Sequence, residues 1–143
     1  MGAVSIYLDV NVLVALFVAD IHNDRADKAV NGSHDGLIVA SLSVAEFSSV
    51  IARRVRTRDL HASEAQAAFA NFDTWCDRHT SRVEVESIDI SVATSLMRRL
   101  DLPLRTPDAL HLAIIRRIGC TLLTFDRAMA NVAHTLGIEV VKA

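Results

Sequence analysis

Short apolar runs alternate along the whole chain with stretches whose apolar residues recur at helical spacing. Strands are predicted at VSIYLDV, LIVAS, VEVESI, CTLLTF and IEVV. Helices are predicted at VLVALFVA, HNDRADKAV, Ser43 to Arg56, ASEAQAAFANFDTWCDRH, DISVATSLMRRL, TPDALHLAIIRR and DRAMANVAHTL. The strands are apolar on both faces and separated by helices. This alternation predicts an α/β fold whose parallel sheet is covered on both sides.

Cap and turn residues predict where the helices begin and end. Asn11, Asp89 and Thr106 are expected as N-caps. Gly119 and Gly137 are expected to close the helices that precede them. The segment NGSHDG is a dense turn signal after the second predicted helix.

Length and composition favour one domain over residues 1–143. The chain is 51% hydrophobic but only 5% aromatic, so its core is expected to consist of Ala, Val, Leu and Ile. The longest apolar run, Val12 to Ala19, is far shorter than the roughly 20 residues of a membrane span, and the N-terminus lacks a secretory pattern. Cys76 and Cys120 are isolated, which argues against a disulfide framework or zinc site. A cytoplasmic protein is expected.

The basic residues are almost all arginines, although the net charge is −2. Arginines cluster from Arg53 to Arg58 and occur as pairs at 98–99 and 116–117. The planar guanidinium suits phosphate. Basic residues also stabilise helix C-termini, where these clusters are predicted, and for any single cluster we favour this simpler explanation.

Four acids fall where strands end or helices begin. Asp9 ends the first strand and Asp126 follows the fourth, whereas Glu46 and Asp108 are expected in the first turns of their helices. In a parallel sheet these positions share one edge, where open α/β folds bind ligands. All four carboxylates are therefore expected to converge on one rim.

Each acid also has a structural explanation. Glu46 can form a capping box with Ser43, Asp126 can be an N-cap, Asp108 suits a helix dipole, and Asp9 can accept from backbone N–H groups. A tight cluster is costly, however, because two carboxylates about 4 Å apart repel by about 4 kcal/mol at an effective dielectric of about 20. Such a cluster requires raised pKa values or a divalent cation. Hard oxygen donors favour Mg²⁺ or Mn²⁺, and this combination is typical of metal-assisted phosphodiester hydrolysis.

The segments YLDVNVLVAL, SVAEF, TPDALHLA and LLTFDRAM occur in an order that resembles the PIN-domain ribonucleases, in particular the VapC-type toxins of bacterial toxin–antitoxin pairs. The resemblance implies a three-layer α/β/α sandwich with about five parallel strands and Mg²⁺- or Mn²⁺-dependent cleavage of RNA. It also implies homodimers and inhibition by an antitoxin whose tail lies across the active-site groove. Val10 departs from the pattern, since Thr or Ser is frequent there, but this removes no carboxylate.

By the same resemblance, the acidic metal-site residues are Asp9, Glu46, Asp108 and Asp126, and the polar residues that order the site are Asn11 and Thr124. The three aspartates would position the ion, while Glu46 would hold or deprotonate an attacking water. Because water is the nucleophile, the expected products carry a 5′-phosphate and a 3′-hydroxyl.

Other residues near the rim have simpler expected roles. Arg105 and Arg127 would hold substrate phosphates, a sequence-independent contribution that weakens with salt. His111 is expected to be a partly buried, hydrogen-bonded packing residue rather than a general base. Phe72 and Trp75 are expected in the core or at a dimer contact rather than as platforms for bases.

Two other functions are compatible with acids at the rim of an α/β sheet. The first is a catalytically silent PIN-like module that binds protein or RNA. The second is a phosphoacceptor domain of the receiver type, but that design requires a Lys after a late strand, and the only late lysine is Lys142 at the tail. No Gly-rich phosphate loop is present, so nucleotide hydrolysis is poorly supported.

Overall fold

The computed structural model describes residues 4–18, 20–32 and 36–142. Its four strands are β1 (Ser5–Leu8), β2 (Gly36–Ala40), β3 (Thr80–Val83) and β4 (Thr121–Leu123). Its helices are α1 (Val10–Phe17), α2 (Asn23–Asn31), α3 (Ser41–Arg56), α4 (Ala62–His79), α5 (Ser87–Arg98), α6 (Thr106–Ile118) and α7 (Arg127–Thr135). Within these ranges, none of the helices has the length and apolar character that crossing a membrane requires.

All four strands are parallel, in the order β3-β2-β1-β4. The chain therefore builds the sheet outward from β1 in one direction, through β2 and β3, and then returns to add β4 on the other side of β1. Leu8 pairs with Leu123, so β1 and β4 end at the same level. The gap beyond their carboxyl ends is the switch point where open α/β sheets bind ligands.

Alternation along the strands divides the core between two faces of the sheet. Leu8 and Leu123 pack with α1, α3 and α4, whereas Tyr7 and Leu122 pack with α5, α6 and α7. Successive side chains of a strand point to opposite faces, so both faces must be covered. The predicted three-layer α/β/α architecture is confirmed.

Aromatic residues of α4 lie in the first of these two layers. Phe72 stacks on Phe47 with ring centroids 4.1 Å apart, and Trp75 meets the ring of Phe17 edge-on at 5.5 Å. Phe72 is fully buried, and Trp75 packs at the margin of the same cluster. The expectation that these residues belong to the core is confirmed.

The structure moves three predicted N-caps upstream, from Asn11 to Asp9, from Asp89 to Glu86 and from Thr106 to Arg105. In each helix the predicted cap lies inside the first turn. Asp89, for example, uses its side chain to accept from the backbone N–H of Glu86 at 2.8 Å. A polar residue in the first turn can satisfy the helix end from either position, so the sequence pattern did not separate the two. As predicted, glycines close two helices: Gly119 is the C-cap of α6, and Gly137 follows the C-cap Leu136 of α7, both with positive φ.

Two predicted strands change. The predicted strand VEVESI was wrong, because β3 begins at Thr80 and ends at Val83. β3 is an edge strand, and its residues Ser81 and Arg82 are exposed and polar, so the sequence there shows no apolar strand pattern. IEVV reduces to a single bridge between Leu122 and Val140, so the described residues form a sheet of four strands where about five were expected. Residues 33–35 of the predicted turn NGSHDG, and Ala19 at the end of the predicted first helix, lie outside the described residues.

Candidate active site

Asp9 lies at the carboxyl end of β1, beside the end of β4. Its backbone N–H donates to the carbonyl of Leu123 at 3.0 Å, which brings the next residue, Thr124, alongside. The Thr124 hydroxyl donates to Oδ2 of Asp9 at 2.7 Å, and the Val10 N–H donates to Oδ1 at 2.8 Å. The parallel register of β1 and β4 thus places a buried carboxylate at the switch point.

Asn11 connects the two strand ends through its side chain. Its Nδ2 lies 3.3 Å from Oδ2 of Asp9 and 3.3 Å from the hydroxyl of Thr124, and its Oδ1 accepts from the Phe125 N–H at 3.1 Å. One amide therefore contacts both loops that border the gap. This is the position at which a residue that orders the site is expected, although its role in activity stays a prediction.

Asp126 belongs to the same network through its backbone. Its N–H donates to the Thr124 hydroxyl at 3.0 Å. Its Oδ1 accepts from Ala128 and Met129 at 2.9 and 3.2 Å, so Asp126 is also the N-cap of α7. The expectation that Asp126 can be an N-cap is confirmed. Both capping bonds use Oδ1, so Oδ2 is not part of the cap.

The electrostatic environment of Asp9 disfavours its charged form. The residue is 7% exposed, and burial raises the pKa of its carboxyl above the ordinary value. The hydrogen bonds from Thr124 and Val10 act in the opposite direction, but the negative charge of Glu46 adds to the rise. The carboxylates of Asp9 and Glu46 are therefore coupled electrostatically.

Glu46 lies in the second turn of α3, because that helix begins at Ser41 rather than Ser43. The predicted first-turn position and the capping box with Ser43 were wrong; Ser43 is inside the helix and buried. Oε1 of Glu46 instead contacts Nε2 of His111. The Glu46 side chain keeps 28% of its surface exposed, so this carboxylate borders solvent.

His111 is the least expected member of the site. It is 2% exposed, with Nε2 against Glu46 and Nδ1 against the hydroxyl of Tyr7. The expectation of a buried, hydrogen-bonded residue is confirmed, but neither partner was foreseen. Burial raises the pKa of Tyr7 well above its usual range, so its phenol stays protonated. One sequence signal could have pointed to Tyr7 as a partner: it precedes Asp9 by two residues, and alternate residues of a strand share a face.

Asp108 is the third residue of α6, and its Oδ2 accepts from the backbone N–H of Arg105 at 3.2 Å. In the described part of the chain, no hydrogen bond joins Asp108 to the other three acids. Arg105 directly precedes α6 and Arg127 begins α7, and both are exposed. They are placed at the helix ends that border the rim.

Several arginines of the clusters pair with acids elsewhere. Arg117 contacts Asp89 at 2.9 Å and Glu86 at 2.8 Å, and Arg54 lies 3.5 Å from Asp20. Members of the clusters also lie in the last turns of α3, α5 and α6, as the simpler explanation through helix C-termini requires.

Whether the site can hold a divalent cation depends on its carboxylates. Across residues 4–18, 20–32 and 36–142, no three His, Cys, Asp or Glu side chains form a metal-binding group. Mg²⁺, however, often takes only one or two carboxylates and completes its shell with water and substrate phosphate. The donors are carboxylate oxygens, hard ligands of the kind that Mg²⁺ and Mn²⁺ prefer. The donor chemistry fits Mg²⁺ or Mn²⁺ held by few protein ligands.

Most of the chain matches a known protein family. Residues 6–135 match the family model of the PIN domain. The chain belongs to the PIN domain family. The match runs from β1 to the end of α7 and so includes Asp9, Glu46, Asp108 and Asp126.

This PIN domain has relatives of nearly the same length. It is 29% identical over 140 residues to ribonuclease VapC46 of Mycobacterium tuberculosis, with 96% of each chain covered. The fold is similar to that of M. tuberculosis VapC20, a toxin that cleaves the sarcin-ricin loop, with a TM-score of 0.74, 17% identity, and coverage of 89% of this chain and 94% of the other. It is also similar to a chain of a Klebsiella pneumoniae toxin–antitoxin complex, with a TM-score of 0.63, 18% identity and 95% of each chain covered.

Proposed function

We propose that this PIN domain is a metal-dependent endoribonuclease that acts in the cytoplasm as the toxin of a toxin–antitoxin pair. The observation that carries the proposal is Asp9, a buried carboxylate with a raised pKa at the switch point between β1 and β4. A buried acid is costly unless a charge compensates it, and a divalent cation would do so. The resemblance to ribonuclease VapC46 supports RNA as the substrate.

Asp9, Asp108 and Asp126 would hold the cation directly or through water. When bound, Mg²⁺ or Mn²⁺ stabilises negative charge that develops on the scissile phosphate. Thr124 and Asn11 keep the Asp9 carboxylate in one orientation through their hydrogen bonds. The oxygen of Asp126 that does not cap α7 is available to face the substrate.

Glu46 holds the attacking water and accepts its proton. The oxygen of water forms a bond to phosphorus, and the bond from phosphorus to the 3′ oxygen of the ribose breaks. The leaving 3′ oxygen takes a proton from solvent, and the proton held by Glu46 returns to solvent. The products are a 5′-phosphate and a 3′-hydroxyl, without participation of the 2′-hydroxyl as nucleophile.

Arg105 and Arg127 would bind phosphates on either side of the scissile bond. Both side chains are exposed beside helix ends at the rim. Contacts of this kind release counterions, so each lost contact lowers the slope of log K against log salt by about 1.

The proposed partners are a second copy of the chain and a VapB-type antitoxin. The K. pneumoniae structure contains a toxin–antitoxin complex, which supports an antitoxin partner. Co-expression with the protein of an adjacent reading frame tests this part: an antitoxin should restore growth that the PIN domain alone suppresses and should co-purify with it.

The deciding experiment is cleavage of total cellular RNA by the purified protein with Mg²⁺, with Mn²⁺ and with a chelator. Asp108→Asn serves as the inactive variant, and Asp73→Asn, an exposed acid on α4, is the matched control. We expect discrete, metal-dependent cuts from wild type and Asp73→Asn but none from Asp108→Asn. If all three folded proteins leave RNA intact but retain it on a filter, the function is binding rather than cleavage.

A further inference from the structure

His111 connects two elements that are distant in sequence. Tyr7 in β1 is 104 positions from His111, and Glu46 in α3 is 65 positions away, yet the ring contacts both. The ring is 2% exposed and meets the Tyr7 ring edge-on, with centroids 5.6 Å apart and planes at 71°. The imidazole is therefore enclosed and held at both nitrogens.

The chemistry of the partners assigns the roles of the two nitrogens. A carboxylate only accepts hydrogen bonds, so Nε2 must carry the hydrogen that meets Oε1 of Glu46. In the neutral ring the other nitrogen then accepts, and the Tyr7 phenol is placed to donate to it. The three residues form a directed chain from Tyr7 through His111 to Glu46.

The consequence concerns Glu46, whose flexible side chain is 28% exposed. Without a partner this carboxylate would sample several rotamers, at an entropic cost each time it adopts the reactive one. The contact with His111 engages Oε1, while 28% of the Glu46 side-chain surface stays exposed. A packing role alone would be served equally by a leucine, which offers no donor to Glu46.

We propose that His111 is a positioning residue, held by Tyr7, that orients the Glu46 carboxylate for the attacking water. The effect on cleavage rests on the proposed function, whereas the hydrogen-bond chain itself does not. Partners of this kind, which orient a carboxylate of a metal site, change activity by roughly 10- to 100-fold when they are removed.

The kinetic test compares His111→Leu with His111→Gln, whose amide N–H can still donate to Glu46. His134→Gln, at an exposed position of α7, is the control. We expect His111→Leu to lower kcat roughly 10- to 100-fold with KM for RNA unchanged, and His111→Gln to recover most of the loss. In a Glu46→Gln background, His111→Leu should lower kcat little further. Equal losses for Leu and Gln, or the same loss in both backgrounds, would overturn the proposal.

A second readout needs no activity. In ¹⁵N NMR of the imidazoles, the resonance that disappears in His111→Gln identifies His111, and we expect hydrogen on Nε2 and none on Nδ1. Glu46→Gln should shift the Nε2–H proton upfield, and Tyr7→Phe should reduce the population of this tautomer. A ring protonated only on Nδ1, or an Nε2–H signal unmoved by Glu46→Gln, rejects the hydrogen-bond chain. If wild type cuts no RNA but these shifts occur, the proposed function fails while the positioning contact stands.

Discussion

Two buried aspartates in this PIN domain lie in opposite electrostatic environments. Asp89, which is 1% exposed on α5, accepts from Nε and Nη2 of Arg117 at 2.9 and 3.0 Å and from the Glu86 N–H at 2.8 Å. Burial alone would raise the pKa of Asp89, but these bonds and the guanidinium charge lower it below its ordinary value. Asp9 is bonded by neutral donors such as the Thr124 hydroxyl, and its pKa is raised.

The difference separates a structural acid from a candidate functional one. Arg117 on α6 supplies the full positive charge that Asp89 requires, so this pair ties α5 to α6. Asp9 is comparably buried but relies on dipoles, which stabilise a charge less than a cation does. The groups that bond to Asp9 carry no full positive charge, so Asp9 is the acid expected to meet a metal ion.

The largest effect expected from this contrast is on catalysis. Asp9→Asn keeps the shape and the N-capping ability of the side chain but removes its charge. We expect RNA cleavage to fall by roughly 10³-fold, which corresponds to about 4 kcal/mol of transition-state stabilisation. The variant should still fold, because it removes a buried charge rather than a partner of one. Single-turnover cleavage together with thermal unfolding tests both statements.

Asp89→Asn is the matched variant for that measurement. It should lower the melting temperature, since Arg117 loses the charge of one of its two acidic partners, yet leave the rate of cleavage per folded molecule unchanged. Similar losses of activity in both variants would contradict the division between the two sites.

Metal binding should distinguish the same two acids through stability. A cation that binds only the folded state stabilises it by about 2.7 kcal/mol at about 100 times its Kd. Mg²⁺ or Mn²⁺ should therefore raise the melting temperature of wild type and of Asp89→Asn, but not of Asp9→Asn. Equal shifts in all three proteins would mean that Asp9 is not a ligand.

The Thr124 hydroxyl joins Asp9 to the backbone of Asp126, and Thr124→Val removes it without changing the side-chain shape. We expect the unfolding free energy to fall by about 1–2 kcal/mol and cleavage to fall roughly 10-fold, since Asp9 loses its shortest bond. Thr124→Ser should retain most of both. If Thr124→Ser loses as much stability and activity as Thr124→Val, the methyl group of Thr124 rather than its hydroxyl accounts for the effect.

The smallest expected effect is on how steeply the free energy of unfolding changes with pH. One titrating proton changes that slope by at most about 1.4 kcal/mol per pH unit. The pKa of Asp89 is lowered on folding, so its contribution is present above the unfolded pKa of about 3.9 and is lost as pH falls through the folded value. The stability gap between wild type and Asp89→Asn should thus close in acid.

Asp9 should behave in the opposite way when divalent metal is removed by a chelator. Its pKa is raised on folding, so its charge costs stability above the unfolded pKa, and that cost disappears on acidification. Asp9→Asn should be more stable than wild type at neutral pH and equal to it in strong acid. Denaturant unfolding between pH 3 and 7 checks both signs, and parallel curves for the two variants would refute the contrast.

Local patterns predicted much of this molecule. The Ala-rich segment from Ala62 to His79 is a helix over the predicted range, and β1, β2 and β4 occur where apolar β-branched runs indicated them. These features depend on spacing along the chain, which is visible in a sequence. The caps and the edge strand β3 were predicted less well, because neighbouring polar residues can satisfy the same helix end and an edge strand need not be apolar.

The sequence by itself determined that Asp9 would follow the first strand and that Asp126 would come after β4 at the start of α7, because these patterns are local. Tertiary structure alone decided which partners the acids meet: Arg117 for Asp89, Thr124 for Asp9, and His111 for Glu46. These pairs are separated by 28, 115 and 65 positions, so no local periodicity relates them. Strand register places Thr124 beside Asp9, the packing of α5 on α6 places Arg117 beside Asp89, and a side-chain contact between α3 and α6 places His111 beside Glu46. The balance between burial and compensation then raises the pKa of Asp9 and lowers that of Asp89.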